Sequence, residues 1–450
     1  MKTVDMLVAE IGSTTTVVNA FHGIDTDMPV LAGQGQAATT ALAGDVTIGL
    51  YQAIACLEKS LGTELAWQEM VASSSAAGGL RMTVHGLVYD MTVKAAREAA
   101  LGAGANIYWV TAGELSDADI DTIERTKPNI ILLAGGVDYG EKATVLANAR
   151  RLSRLTFPIP VIYAGNRAVN DEARQILTAG GITVTIVENV YPRIDQLNIE
   201  PTRREIHNVF EKHIVEAPGM QKIRELVKGS IIPTPGAVMK AAQLLRESIG
   251  DLMVLDVGGA TTDVHSVTEG DPEITAMLIG PEPVAKRTVE GDLGVYVNAD
   301  NVLKLCDMDK LCEQLSCTPQ ELTALRTPVP STDKEKLFAG YLTAMAVQTA
   351  VNRHVGSLEY IYGPTGRLTV ARGKDLTGIE WIIGTGGALT RLPAGRDVLE
   401  NVNAPSRSNL LLPRQGQALL DRDYIMASAG MLARKYPQAA LGLLRRSLSL

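Results

Sequence analysis

Asp256-Val257-Gly258-Gly259-Ala260-Thr261-Thr262-Asp263 is the stretch on which the fold turns. An apolar run, Leu252 to Val257, leads into it, and Asp263 to Thr268 resumes as a second strand behind a small polar turn. Small or absent side chains let backbone N–H groups approach an anion closely, and the hydroxyls of Thr261 and Thr262 add donors. An acidic residue beside a phosphate cradle makes sense with a cation between them. Magnesium suits, because it keeps several waters and takes one or two carboxylates together with phosphate oxygens.

The same design opens the chain. Val4 to Ile11 is a short apolar strand, Gly12-Ser13-Thr14-Thr15 a polar turn, and Thr16 to His22 a β-branched second strand. Glu10 stands where Asp256 stands, one residue before the glycine's neighbour. A strand–turn–strand repeated about 245 residues apart predicts two related halves. Two such turns facing each other would clamp a nucleotide's phosphates, and transfer would rest on positioning and electrostatics. A third element follows: the apolar strand Trp381-Ile382-Ile383 runs into Gly384-Thr385-Gly386-Gly387-Ala388, whose bare backbone admits a flat base or a ribose.

Between the halves lies a different rhythm. Strands are predicted at Asn106–Thr111, Asn129–Ala134, Val161–Ala164 and Thr183–Val187, with helices at Ser116–Arg125, Lys142–Leu155 and Asn170–Ala179. Alternation with short loops describes a parallel α/β sheet. The expected organisation is a first lobe over 1–94, an inserted α/β domain over 95–190, proline-punctuated connecting helices over 191–250, and a second lobe over 251–450 whose C-terminal helix returns to the first lobe. A helix is predicted from Asp45, as its cap, to Gly62, as its stop.

Composition narrows the rest. The 450 residues are 46% hydrophobic and 20% charged, ample for a folded core. Forty-two basic against fifty acidic residues give a net charge of −8, which argues against a nucleic-acid binder. Cys56, Cys306, Cys312 and Cys317 lack zinc-ligand spacing and read as free thiols of a cytoplasmic protein. No stretch approaches the roughly 20 apolar residues of a membrane helix. His22, His85, His207, His213, His265 and His354 are scattered, and His265, in the second phosphate strand, reads as a packed or cleft-edge residue rather than a ligand.

The three turns, in this order, resemble the actin/Hsp70/sugar-kinase ATPase superfamily. Glu10–Thr15 is similar to its first phosphate motif, Asp256–Asp263 to its second, Gly384–Gly387 to its adenosine motif, and Ala427-Ser428-Ala429-Gly430 to its second connecting motif. The resemblance implies two RNase H-like lobes, ATP and a divalent metal. Carried over, Asp256 and Glu10 would hold magnesium. Gly12, Ser13, Thr14, Thr15, Gly258, Gly259, Thr261 and Thr262 would bind phosphates, and Gly384, Gly386 and Gly387 adenosine. Asp263 would orient the attacking water, making Asp263, Asp256 and Glu10 the catalytic set. The first motif of the superfamily opens with Asp where this chain has Glu10, which leaves slow hydrolysis, or binding with little turnover, open.

A closer resemblance runs along the whole chain. Ala72–Met82, Leu132–Asp138, Val161–Asn166 and Glu290–Gly294 look like the glutamate mutase accessory family, GlmL or MutL, unrelated to the mismatch-repair protein of that name. It implies an ATP-dependent factor that reactivates an adenosylcobalamin-dependent mutase or aminomutase. The strand–helix alternation of the insertion, which a cobalamin-binding domain shares, leads us to expect a docking or mimicry domain that contacts the mutase. The insertion lacks the DxHxxG cobalamin loop. A homodimer stays open. The alternatives are a small-molecule kinase of the same superfamily, an actin-like filament protein, and an activator of 2-hydroxyacyl-CoA dehydratases. The last would carry a [4Fe–4S] cluster, for which Cys306, Cys312 and Cys317 have no suitable context.

Overall fold

The computed structural model describes residues 2–40, 44–75, 80–213, 220–227, 231–363, 366–403 and 409–450. Ala76–Gly79 of the family-like stretch lie outside the described residues. The strands are, in chain order, β1 (Lys2–Ile11), β2 (Thr15–His22), β3 (Val30–Ala38), β4 (Leu65–Ser74), β5 (Leu80–Gly86), β6 (Ala105–Ala112), β7 (Ile130–Leu133), β8 (Val161–Tyr163), β9 (Val184–Ile186) and β10 (Ile231–Pro233). They continue with β11 (Leu252–Val257), β12 (Thr262–Val267), β13 (Ala285–Glu290), β14 (Ser357–Gly363), β15 (Gly366–Arg372), β16 (Trp381–Thr385) and β17 (Gln417–Leu420).

Two compact units divide the chain. One holds residues 1–18, 34–237 and 280–283, the other residues 19–33, 238–279 and 284–450. The sheet that opens the chain is ordered β10-β4-β1-β2-β3, with β4 parallel to β1 and β10 parallel to β4. The helix Val46–Leu61 forms as its ends dictate. The Asp45 side chain accepts from the Thr47 N–H, and Gly62 closes the last turn in the left-handed conformation.

In the second unit the sheet is ordered β13-β12-β11-β16-β17. Here β11, β12 and β13 form an antiparallel meander, and β16 and β17 add in parallel beside β11. Both sheets therefore read third, second, first, then two later strands. This is the repeated lobe of the actin-like ATPase fold. Met253, Leu255, Val257 and Val264 point to one face, where Phe338, Leu342, Ala346 and Val347 of the helix Asp333–His354 close the core. Strand alternation puts Val254, Asp256, Asp263 and His265 on the opposite face.

A third, fully parallel sheet is ordered β6-β5-β7-β8-β9. Its β5 lies upstream of the 95–190 stretch. Arg81, Thr83 and His85 alternate there with apolar residues, so no apolar run marks the strand. His85 is buried by bonding Thr83 Oγ1 at 2.9 Å and Thr111 Oγ1 at 2.8 Å, and burial lowers its pKa to about 4. The loops leaving β7 and β8 are tied together by Asp138, Asn166 and Asn189. Asp138 Oδ1 accepts from the Arg167 N–H and from Asn189 Nδ2, each at 3.0 Å.

The stretch read as connecting helices supplies Glu200–His213, Met220–Leu226 and Thr234–Ile249, and also the strand β10. Three residues ending in Pro233 suit a sheet edge, where no N–H is needed beyond the last pair. The terminal helices Met426–Leu432 and Pro437–Leu448 pack with residues 19–33, where Asn19 Nδ2 donates to Ser428 Oγ and Arg446 Nη1 to the Pro29 carbonyl, both at 2.9 Å. Among the described residues no helix is long and apolar enough to cross a membrane, and the four cysteines are free.

Candidate nucleotide site

The turn Gly258–Thr261 joins β11 to β12, and Gly258 N–H closes it on the Thr261 carbonyl at 2.9 Å. Its other carbonyls are occupied from behind. Gly258 O accepts from Val295 N–H, Gly259 O from Tyr296 and Val297 N–H, and Ala260 O from Asn298 Nδ2. Gly294 must be glycine for this, because a Cβ would stand 2.3 Å from the Ala260 carbonyl carbon. The loop Gly291–Asn298 thus holds the carbonyls of Gly258, Gly259 and Ala260. The N–H groups of Gly259, Ala260 and Thr261 donate to nothing among the described residues. Three successive unpaired donors on a partly accessible turn suit an anion.

Three carboxylates stand around this cradle. Asp256 pairs in register with Asp263 on one side and with Thr385 on the other. Burial, with Asp263 and Asp421 nearby, pushes Asp256 up to about 7 against the pull of Arg287. Asp263 is ion-paired with Arg287 of β13, itself only 1% exposed. Asp421 is fully buried and accepts from Thr385 Oγ1, Ser447 Oγ and the N–H groups of Ile425 and Met426, so it braces the end of β16 and the start of the helix Met426–Leu432. Burial raises its pKa against those bonds.

The glycines of the third turn divide by role. Gly386 has φ +83°, and a Cβ there would stand 2.6 Å from Asp256 Oδ1, so glycine brings the turn against that carboxylate. Gly387 opens onto free space. Gly384 faces inward, its missing side chain making room for Leu399 and Leu420. Asp256, Gly258, Gly259, Thr261, Thr262, Asp263, Gly384, Gly386 and Gly387 are thus gathered around adjoining strand ends of one sheet.

Glu10, Gly12, Ser13, Thr14 and Thr15 lie in the first unit. Gly12 N–H closes their turn on the Thr15 carbonyl at 3.0 Å, and the N–H groups of Ser13 and Thr14 donate to nothing among the described residues. Ser13 Oγ donates to the Ser75 carbonyl, and Glu10 is 6% exposed. Among the described residues no three or more His, Cys, Asp or Glu side chains assemble as a metal cage. Sequence reasoning missed Arg287, Asp421 and Arg353, which binds Glu290 and Asp292 at the head of the bracing loop. Nothing local in the sequence marks them, because the side chains they bind lie far along the chain.

The family model described as MutL protein matches residues 6–448. Protein MutL of Clostridium tetanomorphum is 36% identical over 460 residues, covering 98% of each chain. This chain belongs to the MutL family. Two solved structures are similar to it at low identity. Diol dehydratase-reactivating factor in nucleotide-free form is 11% identical, covering 99% of this chain and 98% of that one, with a TM-score of 0.35. Component A of (R)-2-hydroxyglutaryl-CoA dehydratase from Acidaminococcus fermentans is 9% identical, covering 99% of each chain, with a TM-score of 0.28. At those scores the likenesses carry no argument about function. The strand order and the family membership carry the fold.

Proposed function

We propose that this MutL-family protein binds and hydrolyses ATP in the cytoplasm as an accessory factor that reactivates or assists an adenosylcobalamin-dependent mutase such as glutamate mutase. The supporting observation is the cradle at Gly259, Ala260 and Thr261, whose N–H groups are unpaired while every carbonyl of the turn is tied back. Phosphate oxygens would accept from them. Gly386 and Gly387 would admit adenosine, with Gly384 behind them in the core.

Asp256 fits a magnesium ion. Burial and the like charges of Asp263 and Asp421 push its carboxyl up to about 7, a crowding that a cation would relieve. The ion's remaining ligands would be water and phosphate oxygens, as magnesium prefers. When bound, magnesium would neutralise charge developing on the phosphates. Glu10, with Gly12, Ser13, Thr14 and Thr15, would form an equivalent cradle on the first unit. Family membership supports a mutase partner, and the parallel sheet of residues 80–190 is the part we assign to contacting it.

The test is a calorimetric titration of ATP into the protein with and without magnesium, reading released phosphate on the same sample. Magnesium-dependent binding, with release accelerated by an inactivated cobalamin mutase, is expected. Absence of nucleotide binding would sink the proposal, and a phosphorylated small molecule in place of free phosphate would make the protein a kinase.

A further inference from the structure

Resting on that reading, we propose that Arg287 is a positioning residue that aims one oxygen of Asp263 at the phosphate cradle. In register Arg287 faces His265 and Asp263 faces Val289, so the guanidinium reaches diagonally along the sheet face to find its carboxylate. It does so with two donors on a single acceptor. Nε at 3.0 Å and Nη2 at 2.6 Å both bind Oδ1. A parallel fork would have occupied both oxygens. Oδ2 is left with one contact among the described residues, the Thr261 hydroxyl at 3.4 Å, and Thr261 is the last residue of the cradle.

His265 does not compete for the guanidinium. It is fully buried, and neither ring nitrogen has a hydrogen-bond partner among the described residues. It makes no hydrogen bond to the guanidinium, so it does not draw Arg287 from Asp263.

An oxygen held in this way has a defined task. As a water oxygen bonds to the γ-phosphorus, Oδ2 takes the water's proton. The bond from that phosphorus to the bridging oxygen breaks, and its electron pair leaves on ADP. Asp263 then passes the proton to solvent. Arg287 touches neither water nor nucleotide; it fixes which oxygen is free and where it points.

The experiment compares Arg287→Gln and Arg287→Lys with the native chain, measuring magnesium-ATP affinity by calorimetry, phosphate release in a single turnover, and the melting temperature. Release at least tenfold slower in Arg287→Gln, with affinity within threefold, is expected. Arg287→Lys should regain part of the rate, since one ammonium cannot grip Oδ1 from two directions. Native release by Arg287→Gln overturns the proposal, as does a parallel loss of rate, affinity and melting temperature. If Arg287→Gln does not fold, a folded Arg287→Lys with the native rate overturns it. A native chain that binds magnesium-ATP but releases no phosphate refutes the positioning role and leaves nucleotide binding standing. A native chain that binds no nucleotide refutes both.

Discussion

The turns at Gly12 and Gly258 are the same hairpin built to different specifications. Each is closed by the glycine N–H on the carbonyl of the threonine three residues on, and each leaves the intervening N–H groups unpaired among the described residues. Each is followed by a fully buried threonine, Thr16 or Thr262, whose hydroxyl is tied to a neighbouring segment. The next position separates them. It is Val17 in the first hairpin, 2% exposed, and Asp263 in the second, 5% exposed and paired with Arg287. The backbone frame is thus enough to make a cradle. Among the described residues the opposed carboxylates belong to the second copy alone, and its turn is held at three carbonyls by the loop behind it, where the first is held at Thr14 by the Thr39 N–H.

The sharpest way to break this comparison is to exchange the differing residues. Val17→Asp puts a carboxylate into a buried position without introducing an arginine for it. Asp263→Val takes Asp263 away from the buried Arg287. Removing one member of a buried pair costs about 3–5 kcal/mol, and an unpaired buried carboxylate is expected to cost at least as much. Urea unfolding of both variants measures it. Native-like stability in Val17→Asp would mean that the two hairpins differ less than burial implies.

The second test concerns Asp256 and is one of pH. Its folded pKa of about 7 lies above the ordinary 3.8, so the folded chain holds that proton more tightly than the unfolded chain. The stabilisation is therefore fully present below about pH 4 and is lost as the pH rises through about 7. Asn at this position does not titrate. Without metal, Asp256→Asn should gain stability over the native chain as the pH rises, with a ceiling of about 4 kcal/mol. The same variant should lose magnesium-dependent ATP binding. Melting curves of both proteins at pH 4 and pH 8 with a chelator give the first answer, and calorimetry the second. A difference in melting temperature that does not change with pH would show that Asp256 is not destabilised by its neighbours.

What the sequence revealed and what it hid divide along the same physical line. The hairpin at Gly258 was legible because apolar strands flank a glycine and threonine turn, and the helix Val46–Leu61 because Asp45 and Gly62 sit at its ends. These signals are local. β5 was hidden because its polar residues are satisfied by partners on another strand, as His85 is by Thr111. Arg287 was hidden for the same reason. In Ala285-Lys286-Arg287-Thr288-Val289-Glu290 it reads as a solvated strand edge, and only the register with β12 brings it to Asp263. Asp421 looks like any loop aspartate until Thr385, Ser447 and a helix start converge on it.

The smallest expected effect discriminates most finely between the two turns. Thr16 and Thr262 occupy matching positions, and valine replaces either without changing its shape much. Thr262 Oγ1 donates to the Leu293 carbonyl at 2.7 Å, within the loop that braces the second turn, in a fully buried setting. Thr16 Oγ1 shares a bond with Thr39 Oγ1 at 2.9 Å in a part-buried one, where the Thr39 hydroxyl can turn to water. A buried acceptor stripped of its donor keeps its full desolvation cost, whereas a hydroxyl that reaches water does not. Thr262→Val should therefore cost about 2 kcal/mol and Thr16→Val about 1 kcal/mol or less. Equal costs in urea unfolding would mean that the bracing loop adds nothing to the second hairpin, and that the two cradles differ only in the charges placed beside them.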